Sequence, residues 1–301
     1  MIKQYNVTVN GTTYEVTVES AAGGRMASAP VSRAAAAPVA RAAAPAPAAA
    51  PAAAPAAAPA EKKAPSAGVE LMEGDTVVKL TGMRKVVAER MLQSHTEIPC
   101  VTQNIKVDVT ELMKFRKMLL EETGKKYSVN DLVLKATAKC LRSHPEMLVS
   151  FDEANKQIIQ RAHVNIGMAV ALDAGLITPV IRDADKMGLD QLSATAKDLA
   201  SRAKENKLLP DEYKGSTITV SNLGMFGIET FTPIINPPQT GILGVCNIEY
   251  KVRMKNGQPE FYPAINLSLT YDHRALDGAP ASRFLQALAN NIANFDLLLA
   301  K

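Results

Sequence analysis

The chain has 301 residues, of which 47% are hydrophobic and 5% aromatic, with no tryptophan, three cysteines and a formal net charge of +4. The excess positive charge lies within one alanine- and proline-rich stretch, residues 21–68, and aromatic side chains for base stacking are scarce, so we expect no nucleic-acid partner. The cysteines Cys100, Cys140 and Cys246 are too few and too widely spaced for a disulfide framework or a zinc site, which indicates a reducing compartment.

Residues 1–20 predict a β-hairpin segment that is incomplete and carrier-like. Apolar and polar side chains alternate on both sides of Asn10-Gly11, a dipeptide typical of two-residue hairpin turns. The first five residues lack the apolar core of a signal peptide, and no apolar run approaches the ~18 residues of a membrane span. We therefore expect a cytoplasmic protein with no membrane partner.

Residues 21–69 predict an Ala/Pro-rich, disordered linker. Proline every few residues removes backbone donors and prevents the helix that alanine would otherwise favour. We expect this stretch to act as an extended spacer between the two segments that it connects.

Residues 70–301 predict one catalytic domain in which helices and strands are mixed. Helices are expected after a cap at Thr81, after a cap at Thr110 through Leu120 with Gly124 past its end, from Ser128 to the stop at Pro145, and over 189–206 and 279–293. Strands are expected over 101–109, 147–151, 157–160, 163–171, 176–181, 216–221, 240–250 and 264–271. Because strict βαβ alternation is missing, we expect an α/β (α+β) fold with a two-layer, mixed β-sheet covered by helices.

His273 is the first candidate functional residue. It ends an apolar strand and is followed by the turn Asp277-Gly278. An imidazole with a pKa near ~6.5, presented by a strand-end loop, can take and return a proton at neutral pH. Taken alone, the pattern also fits a histidine with a purely structural role.

Ser221 is the second candidate. It follows the β-branched run from Thr217 to Val220 and precedes a turn with Gly224 and Gly227. Its hydroxyl could donate to a developing oxyanion, with the glycines leaving room for substrate, or it could cap its own turn. A hydrolase is weakly supported because no Gly-x-Ser-x-Gly motif surrounds Ser221, and the sequence has no phosphate-binding loop, dinucleotide fingerprint or zinc spacing.

Four segments in order carry a resemblance. They are Met-Arg-Lys-Val-Val-Ala-Glu-Arg-Met at 83–91, Gly-Leu-Ile-Thr-Pro-Val-Ile at 175–181, Thr-Val-Ser-Asn-Leu-Gly at 219–224 before Phe-Thr-Pro-Ile-Ile-Asn-Pro-Pro at 231–238, and His-x-x-x-Asp-Gly at 273–278. They resemble the catalytic core of 2-oxo acid dehydrogenase dihydrolipoamide acyltransferases, the E2 components of pyruvate or acetoin type. The resemblance covers roughly residues 75–301 and implies a CoA-dependent acyltransferase-like (chloramphenicol acetyltransferase-like) fold.

The resemblance implies an acyltransferase that moves an acyl group, expected to be acetyl, between a dihydrolipoyl thiol and coenzyme A. By family correspondence His273 takes the thiol proton, Ser221 donates to the oxyanion and Asp277 has a supporting role. Coenzyme A is then a substrate. No metal is expected, and the sequence does not indicate which residues bind coenzyme A.

The resemblance also implies a homotrimer, with active sites between subunits, that assembles into a larger core. No lipoyl-lysine is expected, because Asp185-Lys186 falls inside the core match. No biotinyl-lysine is expected either: the first 20 residues resemble the start of a biotin carboxyl carrier subunit, but the Ala-Met-Lys-Met motif is missing. A separate lipoyl-bearing protein should therefore supply the lipoyl group. E1 and E3 components could be partners, although no subunit-binding domain is evident.

Two alternatives stay open at this stage. The first is a CoA-dependent O-acetyltransferase of the chloramphenicol acetyltransferase type, against which the long spacer argues. The second is a non-catalytic assembly core, against which the joint retention of Ser221, His273 and Asp277 argues.

Overall fold

The computed structural model describes residues 2–9, 12–19, 68–80, 82–172 and 175–300, and the chain divides into two units, Met1–Leu71 and Met72–Lys301. In the first unit, β1 (Ile2–Val9) and β2 (Thr12–Glu19) pair antiparallel. Val9 lies opposite Thr12, which is the register that a two-residue turn imposes. Nearly all of the predicted linker, and the Asn10-Gly11 turn itself, lie outside the described residues.

The second unit alternates helices and strands irregularly. The helices are α1 (Gly82–Glu97), α2 (Thr110–Thr123), α3 (Val129–Arg142), α4 (Leu189–Lys204), α5 (Gly278–Ala293) and α6 (Phe295–Ala300). The strands are β3 (Cys100–Asp108), β4 (Val149–Asp152), β5 (Gln157–Gln160), β6 (Ile166–Met168), β7 (Val170–Leu172), β8 (Gly175–Ile177), β9 (Val180–Ile181), β10 (Ile218–Asn222), β11 (Gly241–Lys255) and β12 (Gln258–Asp272).

Six of these strands form one mixed sheet in the order β3-β12-β11-β10-β6-β9. Strand β10 is parallel to both of its neighbours, β11 and β6, whereas the other pairs are antiparallel. Helices α3 and α5 pack against each other, and their buried side chains join those of the sheet and α4 in one apolar core. The predicted fold class, a mixed sheet covered by helices, is confirmed.

Local signals fixed two helix ends as predicted. The Ser128 hydroxyl accepts from the Asp131 backbone N–H at 3.1 Å while the Asp131 carboxylate accepts from the Ser128 N–H at 2.8 Å, a reciprocal capping box that starts α3. Gly124 ends α2 in the left-handed conformation, with φ of 69°. The predicted cap at Thr110 is wrong: Thr110 is the first helical residue, and its N–H and hydroxyl donate to the Asp108 carboxylate at 2.9 and 2.6 Å.

Other boundaries differ for tertiary reasons. The predicted strand over 163–171 is two strands, because β6 pairs with β10 and β9 in the main sheet, whereas β7 pairs with β8 in a separate sheet. Strands β11 and β12 are longer than predicted and continue as a two-stranded hairpin past their neighbours. Helix α6 was not predicted, and Thr81 lies outside the described residues.

The three cysteines differ in exposure. Cys140 and Cys246 are buried, and burial raises the pKa of the Cys140 thiol to about 12 and that of Cys246 above its usual value. Cys100 is exposed at the start of β3. Across the part of the chain that the structure describes, no helix is long and apolar enough to cross a membrane.

Candidate active site

Ser221 lies one residue before the end of β10, in the middle of the sheet. Its β-branched run suits a buried central strand, and Ser221 itself is only 9% exposed. The residue opposite on β11 is Gly244, where an added Cβ would lie 2.8 Å from the Phe231 ring. Gly244 therefore allows an aromatic ring to pack directly on the backbone beside Ser221.

The turn after Ser221 is held by side-chain amides. The Asn222 side chain accepts from the Gly224 N–H at 2.9 Å and donates to the Asn130 side-chain oxygen at 3.1 Å. A Cβ on Gly224 would lie 2.5 Å from the Cys246 carbonyl oxygen. The missing side chain of Gly224 thus makes room for the neighbouring strand, and Gly224 also lines the cavity described next.

Ser221 opens onto a cavity of about 720 Å³, a size typical of small-molecule sites. Apolar side chains form much of the wall, among them Met168, Val170, Leu176, Phe226 and Ile248. Lys204 contributes the one positive charge among the described lining residues. The wall suits a largely uncharged ligand segment, with the Ser221 hydroxyl as one of its few polar groups.

His273 lies just past the end of β12, and its backbone N–H donates to the Pro99 carbonyl at 3.0 Å. The imidazole is about half exposed, and Nδ1 lies 4.0 Å from Oδ1 of Asp277, the residue that precedes α5. The Asp277 side chain is 85% exposed and makes no hydrogen bond within the described residues. The structure therefore brings His273 and Asp277 together, at a distance longer than a hydrogen bond.

The residues that fix the histidine loop were missed from the sequence. Asp272 is 2% exposed, and its carboxylate accepts from the Arg274 backbone N–H at 2.9 Å and from the guanidinium at 2.9 and 3.0 Å. Arg274 also donates to Glu153 at 3.1 Å and lies 4.5 Å above the Phe151 ring. The hydrogen bond to Asp272 raises the pKa of Arg274. An Asp and an Arg on either side of His273 were the signal that could have revealed this clamp.

The structure does not bring Ser221 and His273 together within one chain. Gly244 on β11 lies opposite Ser221 on β10, which is parallel to β11, and opposite Ser268 on β12, which is antiparallel to it. The carboxyl ends of β10 and β12 therefore point toward opposite ends of the sheet. His273 follows Ser268 by five residues. With ~3.3 Å per residue and ~4.8 Å between strands, the Cα atoms of Ser221 and His273 are roughly 20 Å apart.

The comparisons with known proteins identify the family. A family model described as 2-oxoacid dehydrogenases acyltransferase (catalytic domain) matches residues 72–300, which is most of the chain. The chain belongs to this family. Its second unit is accordingly an acyltransferase catalytic domain, and the resemblance seen in the sequence is confirmed.

Within the family, the dihydrolipoyllysine-residue acetyltransferase component of the acetoin cleaving system of Bacillus subtilis (strain 168) is 43% identical over 216 residues, or 70% of this chain and 54% of the relative. The chain spans about half the length of the curated relatives it matches. The similarity to that relative therefore concerns the catalytic domain that the two chains share. It does not extend to the activity of the whole relative.

Two solved structures share the fold over the catalytic domain. One is an Azotobacter vinelandii dihydrolipoamide acetyltransferase (E2p), which was investigated for the role of a serine, a histidine and an asparagine in its catalytic mechanism. It matches with a TM-score of 0.72 and 33% sequence identity, and the match covers 77% of this chain and 99% of the Azotobacter chain. The other is the cubic core of the pyruvate dehydrogenase multienzyme complex, with a TM-score of 0.73, 34% identity and coverage of 78% of this chain and 99% of its own.

Proposed function

We propose that this chain moves an acetyl group between a dihydrolipoyl thiol and coenzyme A, as the E2 core of a 2-oxo acid dehydrogenase complex. One observation carries the proposal. Ser221, His273 and Asp277 have the same spacing along the chain as the serine, histidine and asparagine studied in the catalytic mechanism of the Azotobacter enzyme. The acetyl group is supported by the acetoin- and pyruvate-type relatives.

The proposed base is His273. A coenzyme A thiol with a pKa near ~8.5 is only a few per cent ionised at neutral pH, so removing its proton at a positioned imidazole increases the rate by about 10²–10⁴. The half-exposed ring of His273 is open to an incoming thiol, while the Asp272–Arg274 clamp holds its backbone. The sulfur, once deprotonated, attacks the carbonyl carbon of the acyl-dihydrolipoyl thioester.

The proposed oxyanion donor is Ser221. As the new C–S bond forms, the carbonyl electron pair moves onto oxygen, and a hydroxyl donor there contributes about 10²–10³ in rate. The intermediate then collapses and breaks the C–S bond to the dihydrolipoyl group. His273 returns its proton to the departing sulfur, so the products are acetyl-CoA and a free dihydrolipoyl dithiol.

Asp277 is proposed to support His273 without reacting. Its carboxylate lies 4.0 Å from the His273 Nδ1 and is largely exposed, a distance at which solvent screens much of the attraction. The Azotobacter enzyme has an asparagine at the matching spacing. A neutral amide in the same place indicates that the role of this position does not depend on a negative charge.

The proposed catalytic unit is a homotrimer that assembles into a larger core. Ser221 and His273 lie too far apart in one chain to act on the same atoms, so a complete site takes one residue from each of two copies. Large apolar side chains also lie exposed on the segment 72–80 and on the β11–β12 hairpin: Met72, Val77, Val78, Leu80, Tyr250, Val252, Met254 and Phe261. Such surface suits burial against further copies, and a related core is cubic.

The proposed partner is a separate lipoyl-bearing protein. E1 and E3 are proposed as further components, and the cytoplasm is the proposed location.

We propose that no lysine of this chain carries a lipoyl or a biotinyl group. Lys186 follows β9, precedes α4 and lies 3.1 Å from the Asp183 carboxylate. Intact-mass measurement should show no added lipoyl or biotinyl group, and either increment would overturn this part. Residues 1–20 are proposed as an incomplete carrier-like segment, connected by residues 21–69 to the catalytic domain.

The test is an acyl-transfer assay on purified protein with acetyl-CoA and either dihydrolipoamide or alcohol acceptors. We expect transfer to dihydrolipoamide, and a loss of about 10²–10⁴ in His273→Ala. His95→Ala, which alters an exposed histidine on α1, is the matched control and should keep wild-type activity. Preferential transfer to an alcohol would favour the O-acetyltransferase alternative. Undiminished transfer by His273→Ala would contradict the assignment of the base.

A further inference from the structure

A second cavity, of about 520 Å³, lies away from Ser221, at the edge of the sheet where β10 begins. Its walls are residues 161–163, 165, 213–217 and 236–239, together with Arg90 on α1. It has no lining residue in common with the Ser221 cavity. Instead it adjoins the strand end that carries His273, because the Asp272 N–H donates at 2.8 Å to the carbonyl of Thr240, the residue after the last wall segment.

The charge of this cavity is positive. Arg90, Arg161, His163 and Lys214 all line it, and none of its described lining residues is acidic. Within the described chain, Arg90, Arg161 and Lys214 form no ion pair.

The carboxylate that pairs with His163 does not neutralise the other three groups. Asp183 accepts from His163 at 2.8 Å, but Lys186 shares the same oxygen at 3.1 Å. These two partners lower the pKa of Asp183, so the carboxylate is already engaged as an anion. Three cations are left to face the cavity.

The walls are held in place before any ligand arrives. Arg182 donates to the Asp211 and Lys214 carbonyls at 2.8 and 3.3 Å, and Asn165 donates to the Gly215 carbonyl at 3.0 Å. Gly215 has φ of 81°, a conformation that side chains disfavour. The loop that presents Lys214 is therefore fixed by hydrogen bonds at three carbonyls.

The Ser216 hydroxyl adds a neutral hydrogen-bond donor to the cationic groups that line the cavity. Gln239 donates to the Ser216 hydroxyl oxygen at 2.5 Å, and its own side-chain oxygen accepts from Thr219 at 2.6 Å, which fixes the orientation of the amide. Ser216 thus uses its oxygen as an acceptor. Its hydroxyl proton has no acceptor in the described part of the chain and is available to a ligand in the cavity.

We propose that this cavity binds a phosphate ester or diphosphate. Several cations, one of them a guanidinium oriented by the hydrogen bond from Arg161 Nε to the Ser150 hydroxyl at 3.0 Å, together with a hydroxyl donor, match a multiply charged oxyanion better than a single carboxylate. Two sources supply this chemistry, the phosphate groups of coenzyme A and a free phosphate compound. The first source rests on the proposed function, and the position of the cavity beside the His273 loop favours it.

The first experiment measures binding of inorganic pyrophosphate to the assembled protein by calorimetry. Arg161→Gln and, since Arg161 also bonds to Ser150, the exposed Lys214→Gln should each weaken binding by about tenfold or more, the cost of one charge-assisted hydrogen bond. Arg283→Gln, which removes an exposed arginine on α5, should bind as wild type. No pyrophosphate binding by the wild type, or unchanged binding by both cavity variants, would overturn the site.

The second experiment distinguishes the two sources by steady-state kinetics. If coenzyme A occupies the cavity, Lys214→Gln should raise the KM for coenzyme A by about tenfold and leave the KM for pantetheine, which has no phosphate, unchanged. Loss of pyrophosphate binding with an unchanged KM for coenzyme A would overturn the coenzyme A assignment and support a free phosphate ligand. Absence of acyl transfer in the wild type would reject the proposed function, while the calorimetry would still decide the cavity.

Discussion

Ser221 and His273 lie at opposite ends of one sheet, with roughly 20 Å between their Cα atoms by strand register. A hydroxyl that stabilises an oxyanion and an imidazole that deprotonates the attacking thiol must both lie within hydrogen-bond reach of the reacting atoms. A single copy of this chain cannot meet that requirement. The proposed reaction therefore needs two copies for each site.

Mixed assemblies test this requirement directly. His273→Ala and Ser221→Ala should each be nearly inactive alone, yet trimers that contain both variants should regain about a third of wild-type activity, because each such trimer pairs an intact serine with an intact histidine at one of its three interfaces. Activity of tandem-purified mixed trimers is the measurement. Mixed trimers as inactive as either parent would place both residues in one chain's site.

Ser221→Ala alone should lower kcat by about 10²–10³ and leave the KM for coenzyme A unchanged, because the hydroxyl donates to an oxygen that becomes charged only in the transition state. Ser201→Ala, on the exposed face of α4, is the control and should match wild type. Steady-state kinetics separate the two parameters. A raised KM with normal kcat would instead make Ser221 a ground-state binding residue.

Gly224→Ala should impair both stability and catalysis. The new Cβ would lie 2.5 Å from the Cys246 carbonyl oxygen, so the turn after Ser221 must shift, at a cost of about 1–3 kcal/mol in the free energy of unfolding. Gly68→Ala, where an added Cβ meets nothing within 4 Å, should be neutral. Thermal unfolding and kcat are the readouts, and a Gly224→Ala protein with wild-type values of both would refute the close approach.

Arg274→Met should destabilise the fold far more than Arg253→Met. Removing Arg274 leaves the Asp272 carboxylate buried without its cation, a change that costs about 3 kcal/mol. Arg253 pairs with Asp108 and Glu260 at 41% side-chain exposure, where solvent screens most of the attraction and the variant should be nearly as stable as the wild type. Chemical denaturation of both variants at one protein concentration gives the comparison, and equal losses would contradict the buried clamp.

Sequence patterns were sufficient wherever the cause of a structure is local. The capping box at Ser128 and the left-handed Gly124 depend on residues three or four positions away, and both ends were predicted. The cap at Thr110 failed because Thr110 is itself the first helical residue, and its hydroxyl donates to the Asp108 carboxylate instead of accepting from the helix. The split at Ala169 could not be predicted, since it arises from the pairing of β6 with β10, which is distant in sequence, and of β7 with β8 in another sheet.

Some features of the candidate site follow from local sequence, and others depend on contacts between distant segments. Residue types and their order along the chain already define the available chemistry, a histidine after one strand and a serine near the end of another. The three-dimensional arrangement places these two residues at opposite ends of the sheet, lets Asp272 and Arg274 clamp the histidine loop, and brings three cationic side chains and a histidine around a second cavity. Strand order, strand direction and long-range side-chain contacts are set by packing between distant segments, and no local pattern encodes them.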